Sequence, residues 1–413
     1  MKVGIVGAGI TGLTLGRLLK NEHDVEILED KEVYGGIART RDVNGIAYHV
    51  TGGHCFNSKY TEVLNWVFSE VMPKEDWHIV KRNANIYLDG HDVPYPIEFS
   101  VKQIFSFNPE LAFKITRDFM ATSELSEYTN LETWFREKFG DTLAELYFIP
   151  YNQKIWNRPP SEISPGWVEG KLPIPDKASF FKALFTDGKD TMPHASFYYP
   201  NSNNQNTFIE RLAAGLNIIT GYQVKSIRKT PESTWIVNNE KRYDLLITTL
   251  PLNLLPRLIE DIDPDILRLA GELKYNRVTT MLWRTGGTPY TWTYVPDTGN
   301  LFHRYIHIGN FFAPQQNYSI TEVVGERSEA EMIENGRKDP FLLEPLSYHV
   351  SDHAYVVYDE NHARVTSSIL NYLSKLGIWT AGRFGEWQYY NMDVCIKSAM
   401  DLVDAIKKNS KAA

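Results

Sequence analysis

Gly7-Ala8-Gly9-Ile10-Thr11-Gly12 is the stretch whose residue types and spacing point most directly at chemistry. Its glycines have separate uses. Gly7 permits a tight turn, Gly9 lets the backbone approach a pyrophosphate, and Gly12 lets the following helix lie close on the preceding strand. The first free N–H groups of that helix, around Ile10 and Thr11, point at the phosphates, where its dipole favours negative charge. Glu29 follows at the distance expected of a carboxylate that binds a ribose hydroxyl. Two further glycine pairs, Gly35-Gly36 ahead of Arg39 and Gly52-Gly53 ahead of His54, offer close backbone approach to a ligand. An imidazole on such a loop is set against a flat ring or is satisfied by its own backbone.

These groups need a scaffold. Lys2 to Val6 reads as a short buried strand, Thr11 to Lys20 as a helix, and Asp24 to Glu29 as a second strand ending on the acid. Strand, helix and acid together raise the glycine turn from a linker to a dinucleotide site. Ile46 to Val50 reads as a strand, Tyr60 to Trp77 as helical, and Asn85 to Leu88 with Val93 to Pro96 as an excursion around Asp89-Gly90. Residues 101–154 read as a helical bundle in which Asn130 caps a helix and Gly140 breaks the pattern. Thr207 to Leu216 is expected to be a helix, and Ile218 to Thr220, Tyr222 to Ile227, Trp235 to Val237 and Leu245 to Thr249 strands. Strands at Val278 to Trp283, Thr291 to Val295, His303 to Phe312 and Ala354 to Tyr358 suggest an antiparallel sheet over a pocket. A last strand, Gly377 to Ala381, leads through Gly382 into a helix ending near Lys408.

At 413 residues the chain implies two or three domains, one assembled from separated segments. A net charge of −8 without a basic block argues against a nucleic-acid partner, so anionic ligands must meet local positive groups. Cys55 and Cys395 form no metal or redox spacing. The apolar runs are short and broken by proline or charge, so no membrane span is expected, and the location expected is the cytoplasm.

The run from Glu32 to Thr40 resembles the GG motif of flavoproteins in the amine oxidase and UDP-galactopyranose mutase group, which implies FAD. Thr51-Gly52-Gly53-His54 resembles the flavin-facing loop of the mutases, and Val93-Pro94-Tyr95-Pro96 a stretch whose tyrosine lies near their active site. Pro150-Tyr151-Asn152-Gln153-Lys154-Ile155-Trp156 resembles their substrate domain, which implies Tyr151, Asn152 and Trp156 beside a nucleotide sugar; alone, Trp156 reads as core. Trp292 to Asp297 followed by Phe302-His303-Arg304 resembles the segment that supplies a diphosphate arginine, implying Arg304 with Tyr294 nearby. The closing stretch implies Tyr389 on the diphosphate and Asn391 and Met392 near the flavin, with Tyr348 a further tyrosine. Val224 is implied near adenine, and Gly36, Arg39, Gly53 and Gly382 against the cofactor. Two departures stand out. Lys171 replaces the first diphosphate arginine, keeping a charge but losing the planar fork, and Asn201 to Asn206 replaces a glycine-rich turn.

The resemblance implies an α/β fold: a Rossmann-like FAD-binding domain (1–60, 195–260 and 375–413), a mainly helical insert (61–194) and an antiparallel sheet (261–374), the last two forming the substrate domains. It implies a mutase, active with FAD reduced by NADPH or NADH and serving cell-surface polysaccharide synthesis. A nucleotide sugar such as UDP-galactose would be attacked at its anomeric carbon by the reduced flavin, expel the nucleoside diphosphate, open, and reclose as a furanose. His54, Lys171, Arg304 and Tyr389 would be the catalytic set, and a homodimer is one expected assembly. The rivals are a flavin oxidase or desaturase of the amine oxidase group, and a flavin-bearing binding or assembly protein.

Overall fold

The computed structural model describes residues 1–123, 128–168, 172, 174–186 and 195–412. Its organising sheet is five-stranded and wholly parallel, in the order Trp379–Thr380, Leu245–Thr248, Lys2–Val6, Asp24–Leu28, Asn217–Ile219. Parallel strands buried on both faces read as continuous apolar runs, as Lys2–Val6 and Leu245–Thr248 do. Alternate residues feed two cores. Val3, Ile5, Ile27 and Ile247 face the helices Ile10–Leu19 and Met392–Ala412, through Leu13, Ile396 and Ala399, while Val6, Leu28 and Leu246 join the larger core on the other side. The strands come from three separated parts of the chain, as the sequence suggested.

A second sheet of seven strands runs Leu342–Val356, Tyr275–Thr285, Tyr318–Val324, Arg304–Ile306, Trp292–Tyr294, Ala84–Leu88, His91–Pro94. All its pairs are antiparallel except Trp292–Tyr294 with Ala84–Leu88. Between these strands in sequence lie the helices Val101–Phe107, Pro109–Ala121, Leu131–Phe139, Ile149–Trp156 and Lys177–Ala183, with stacked rings packing Phe119 on Phe180 of the last helix and Phe139 on Phe148, just ahead of Ile149–Trp156. Asn130 caps Leu131–Phe139 in a reciprocal pair with Thr133.

Several boundaries differ from the sequence reading. The helix from Thr61 ends at Val71, with Pro73 beyond it, and Trp77 instead opens the strand Trp77–Lys81. Residues 222–226 are not a strand: the Asn238 side chain accepts from the N–H groups of Lys225 and Ser226, so the ladder starts only at Ile227. The strand expected over His303 to Phe312 stops at Ile306, because Ile308–Phe311 is a helical turn whose Gly309 lies so close to the Gln316 carbonyl that a Cβ would sit 1.8 Å from it. Leu342–Val356 is far longer than the Ala354 to Tyr358 strand expected. Pro345 and three register shifts break its alternation.

Candidate functional site

The opening turn is built as its glycines suggested. The helix Ile10–Leu19 starts at Gly9 with neither a capping side chain nor an acid in its first turn, leaving its N-terminus to an incoming anion. A Cβ at Gly12 would lie 1.9 Å from the Gly7 carbonyl oxygen, whereas one at Gly9 would meet nothing nearer than Gly36 Cα at 3.9 Å. So Gly12 is needed for helix-on-strand packing, and Gly9 keeps an approach open. Gly9 bridges to Gly35, and Gly36 opens a short turn ending at Arg39. Glu29 is spent partly on the turn itself, accepting from the N–H groups of Ala8 (2.8 Å) and Lys31 (3.1 Å). Burial, then the hydrogen bond to Asp30, raises its carboxyl to about 7. Gly382 of the closing segment packs against Thr11, and Met392 and Asn391 stand at the start of the last helix, Met392 buried and Asn391 exposed. Val224 is buried in the loop before Ile227.

On the other side, the Gly52-Gly53-His54 loop lies on the seven-stranded sheet. A Cβ at Gly52, whose φ is +77°, would lie 2.7 Å from Glu322 Oε2 and 3.3 Å from Arg304 Nη2; one at Gly53 would meet Ile306. Beneath it is a buried cluster. Arg304 donates to Glu322 Oε1 (2.5 Å) and to the Tyr355 hydroxyl (3.0 Å), Tyr355 donates to Glu322 Oε1 (3.0 Å), and His303 Nε2 is 3.1 Å from the same oxygen. Burial alone would raise the Glu322 carboxyl, but Arg304, His303 and Tyr355 together hold it down to about 2. Burial and the Arg383 charge push His54 down to about 4, so its imidazole is neutral near pH 7. His54 Nε2, Arg304 Nε and Glu322 Oε2 are buried without a partner among the described residues.

Tyrosines continue the wall. Arg383 lies over Tyr389 (4.3 Å) and Tyr355 (5.6 Å), whose rings stack at 5.7 Å. Tyr294 meets Tyr95 at 5.0 Å and Tyr151 at 5.6 Å, and Tyr151 is 6.3 Å from His303. Asn152 donates to the Phe148 carbonyl while its Oδ1 has no partner among the described residues, and Arg82 donates to the Tyr294 hydroxyl at 2.8 Å. Arg304, Tyr389, Tyr151, Tyr294 and Tyr95 are therefore joined through direct contacts. Two expected residues stand apart. Trp156, 1% exposed, sits in the core edge-on to Tyr358, and Tyr348 donates to the Arg327 carbonyl; the tyrosine of that strand on Arg304 is Tyr355. Lys171 lies outside the described residues.

Glu322, His303, Tyr355 and Arg383 were not singled out from sequence. Glu322 left a signal, as a lone acid inside the apolar run Ile320 to Val324. The polar run in place of a glycine turn is explained by Asn203. It takes a left-handed φ of 58°, which Asn tolerates, and its amide bonds the N–H and carbonyl of Ala313 at 2.8 and 3.1 Å. Asn204 and Asn206 hold Thr40, tying this turn to the Gly35-Gly36 segment.

Fold and site together define an α/β protein with a Rossmann-like domain, whose second sheet carries a wall of tyrosines and arginines. The family profile described as NAD(P)-binding Rossmann-like domain matches residues 5–71. The chain is similar to a dTDP-fucopyranose mutase of Escherichia coli, 27% identical over 180 residues that cover 42% of this chain and 46% of that protein. It is also similar to a UDP-galactopyranose mutase of Mycoplasma genitalium, 23% identical over 220 residues, 51% of this chain and 50% of that one. The chain thus spans about half the length of the curated relatives it matches. A crystal structure of reduced UDP-galactopyranose mutase shares the fold, with a TM-score of 0.85 at 22% identity over 98% of this chain and 94% of that one. Among the described residues no helix is long and apolar enough to cross a membrane, and no group of three or more His, Cys, Asp or Glu is placed to hold a metal ion.

Proposed function

We propose that the protein is an FAD-dependent nucleotide-sugar mutase that interconverts pyranose and furanose rings. Segments 1–60, 195–260 and 375–413 would hold the cofactor, and 61–194 and 261–374 the sugar nucleotide. The observation that carries this reading is the chain of contacts from Tyr151 and Tyr294 through His303 and Arg304 to Tyr355, Tyr389 and Arg383, backed by the Gly52-Gly53-His54 loop. The relatives named as mutases support it.

The residues fit a flavin dinucleotide: an uncapped helix start, an open approach at Gly9, and a neutral His54 with an unpartnered Nε2 on the glycine loop. Gly7 to Gly12 would hold the pyrophosphate, Glu29 the ribose, and Gly36, Arg39, Gly53, His54, Gly382, Asn391 and Met392 the remainder. When bound and reduced, FAD supplies the nucleophile for the anomeric carbon. The chain's own part is electrostatic. Arg304 and Tyr389, with Tyr355, meet the negative charge that grows on the departing diphosphate in a site screened from water. Tyr151 and Tyr294 present ring faces to the sugar or base, and the unpartnered Asn152 carbonyl accepts from a hydroxyl. Lys171 would add a second positive charge. A cytoplasmic enzyme feeding furanose units into surface polysaccharide is the context this reading implies.

The test is to purify the protein, record its flavin spectrum, and incubate the dithionite-reduced form with UDP and dTDP sugars. Isomeric products from the reduced form alone, without net oxidation of the sugar, are expected. Turnover by the oxidised form with one substrate oxidised per flavin reduced would replace this reading with the oxidase or desaturase one.

A further inference from the structure

We propose that Lys154 is a positioning residue: as the resident cation of a cage of four backbone carbonyls, it fixes the loop between Tyr294 and Arg304 against the helix that carries Tyr151 and Asn152. The inference rests on the function proposed above for what these residues bind. Lys154 Nζ donates to the carbonyl oxygens of Val295 (3.0 Å), Asp297 (2.7 Å), Asn300 (2.8 Å) and Phe302 (2.8 Å). An ammonium has three N–H donors, so four acceptors cannot each have one to themselves. They converge on the charge as carbonyls do on a bound monovalent cation. Burial lowers the Lys154 ammonium to about 8, so it stays protonated near pH 7, and the Asp297 charge supports it alongside the carbonyl dipoles.

What the cage joins gives it a role. Lys154 lies on the helix Ile149–Trp156, three residues after Tyr151 and two after Asn152. The four carbonyls belong to the loop that links Trp292–Tyr294 to Arg304–Ile306, strands in which Tyr294 is the register partner of Arg304. The loop's own bonds are short-range: Gly299 N–H and Phe302 N–H donate to the Asp297 and Asn300 side chains, and Val295 N–H to the His303 carbonyl. None of these reaches the helix. Beside the ring contacts of Tyr151 with Tyr294 and His303, Lys154 is therefore the polar tie that holds the loop, and with it Tyr294 and Arg304 at its ends, against the helix bearing Tyr151 and Asn152. Displacing either by about 1 Å is enough to cost a large factor in binding or rate.

Lys154→Met keeps the length and removes the charge, while Lys154→Ala leaves a cage that propylammonium can refill. With flavin-loaded protein and uridine diphosphate as the probe, K154M is expected to lose about tenfold or more in affinity. Amide hydrogen exchange should rise across residues 295–304, and flavin content and exchange in residues 2–28 should stay as in the parent. Propylammonium, but not tetramethylammonium at equal ionic strength, should restore both readouts in K154A. If K154M does not fold, K154A purified in propylammonium and then dialysed gives the same comparison. Parent-like affinity and exchange in K154M, or no rescue of K154A, overturns the inference. Failure of the unaltered protein to bind uridine diphosphate would instead sink the proposed function, and exchange across 295–304 would still decide the role of Lys154.

Discussion

Glu322 is an acid on an apolar strand, and its fully buried carboxylate makes sense only with Arg304 beside it. Removing one member of such a pair leaves the other charge uncompensated, at a cost of about 3 to 5 kcal/mol when burial is deep; Arg304 is 20% exposed, so the lower end applies. On the proposed mutase reading, Arg304→Ala should reduce kcat/KM on the nucleotide sugar by roughly a hundredfold or more, the usual loss for one donor to a developing negative charge, and leave flavin content unchanged. It should also lower the melting temperature, since Glu322 is then left with His303 and Tyr355. The double substitution R304M/E322Q separates the effects. Circular dichroism melts should return most of the lost stability because neither charge remains buried alone, while turnover stays low. Recovered turnover in the double variant would remove Arg304 from the chemistry.

At the scale of elements, the strand–turn–helix at the start was legible because every part of it is local: apolar run, glycines, helix and acid lie within the first 29 residues. The same locality predicts that Gly12→Ala abolishes flavin retention, since its methyl would meet the Gly7 carbonyl at 1.9 Å and force the helix off the strand. Absorbance at the flavin band against protein content measures this. What was not legible depends on pairing across the chain. Tyr355 could not be chosen over Tyr348 from sequence, because bulges in Leu342–Val356 shift which residues face Arg304, whereas Trp156, placed beside a sugar only by the resemblance, is buried in the core as its type alone suggests. Arg383 follows Gly382, but its place over Tyr389 follows only from the fold. The Asn201 to Asn206 run looked like a loss of glycine, yet Asn203 already holds the left-handed position. Asn203→Gly should therefore keep the fold and flavin, losing at most about 1 to 2 kcal/mol through the two bonds to Ala313, whereas Asn203→Val should lose more through left-handed strain; urea midpoints distinguish them.

Across the whole molecule, buried titrating groups set the pH range in which the chain is stable. His307, 4% exposed, lies between the Thr293 hydroxyl (2.9 Å) and the Ser319 hydroxyl (2.8 Å) at the middle of the seven-stranded sheet, and burial pushes it from 6.5 to about 3. Between those values the unfolded chain binds a proton that the folded one does not, so acidification below about 6.5 steadily favours unfolding. His54, lowered to about 4, adds in the same direction. Glu98 works from the other side. Burial raises it from 4.5 to about 8, so across that interval the folded chain holds the extra proton, and stability falls as the pH climbs toward 8. Thermal melts from pH 4 to pH 9 should therefore give a maximum between about pH 5 and 8. His307→Gln keeps partners for Thr293 and Ser319 without a titrating ring and should make the acid limb shallower while leaving the profile above about pH 6.5 unchanged; Glu98→Gln should make the alkaline limb shallower and leave the share of Glu29, raised to about 7, in place. An H307Q profile that falls as steeply as the parent's between pH 6.5 and 4 would show that the acid limb belongs to other groups.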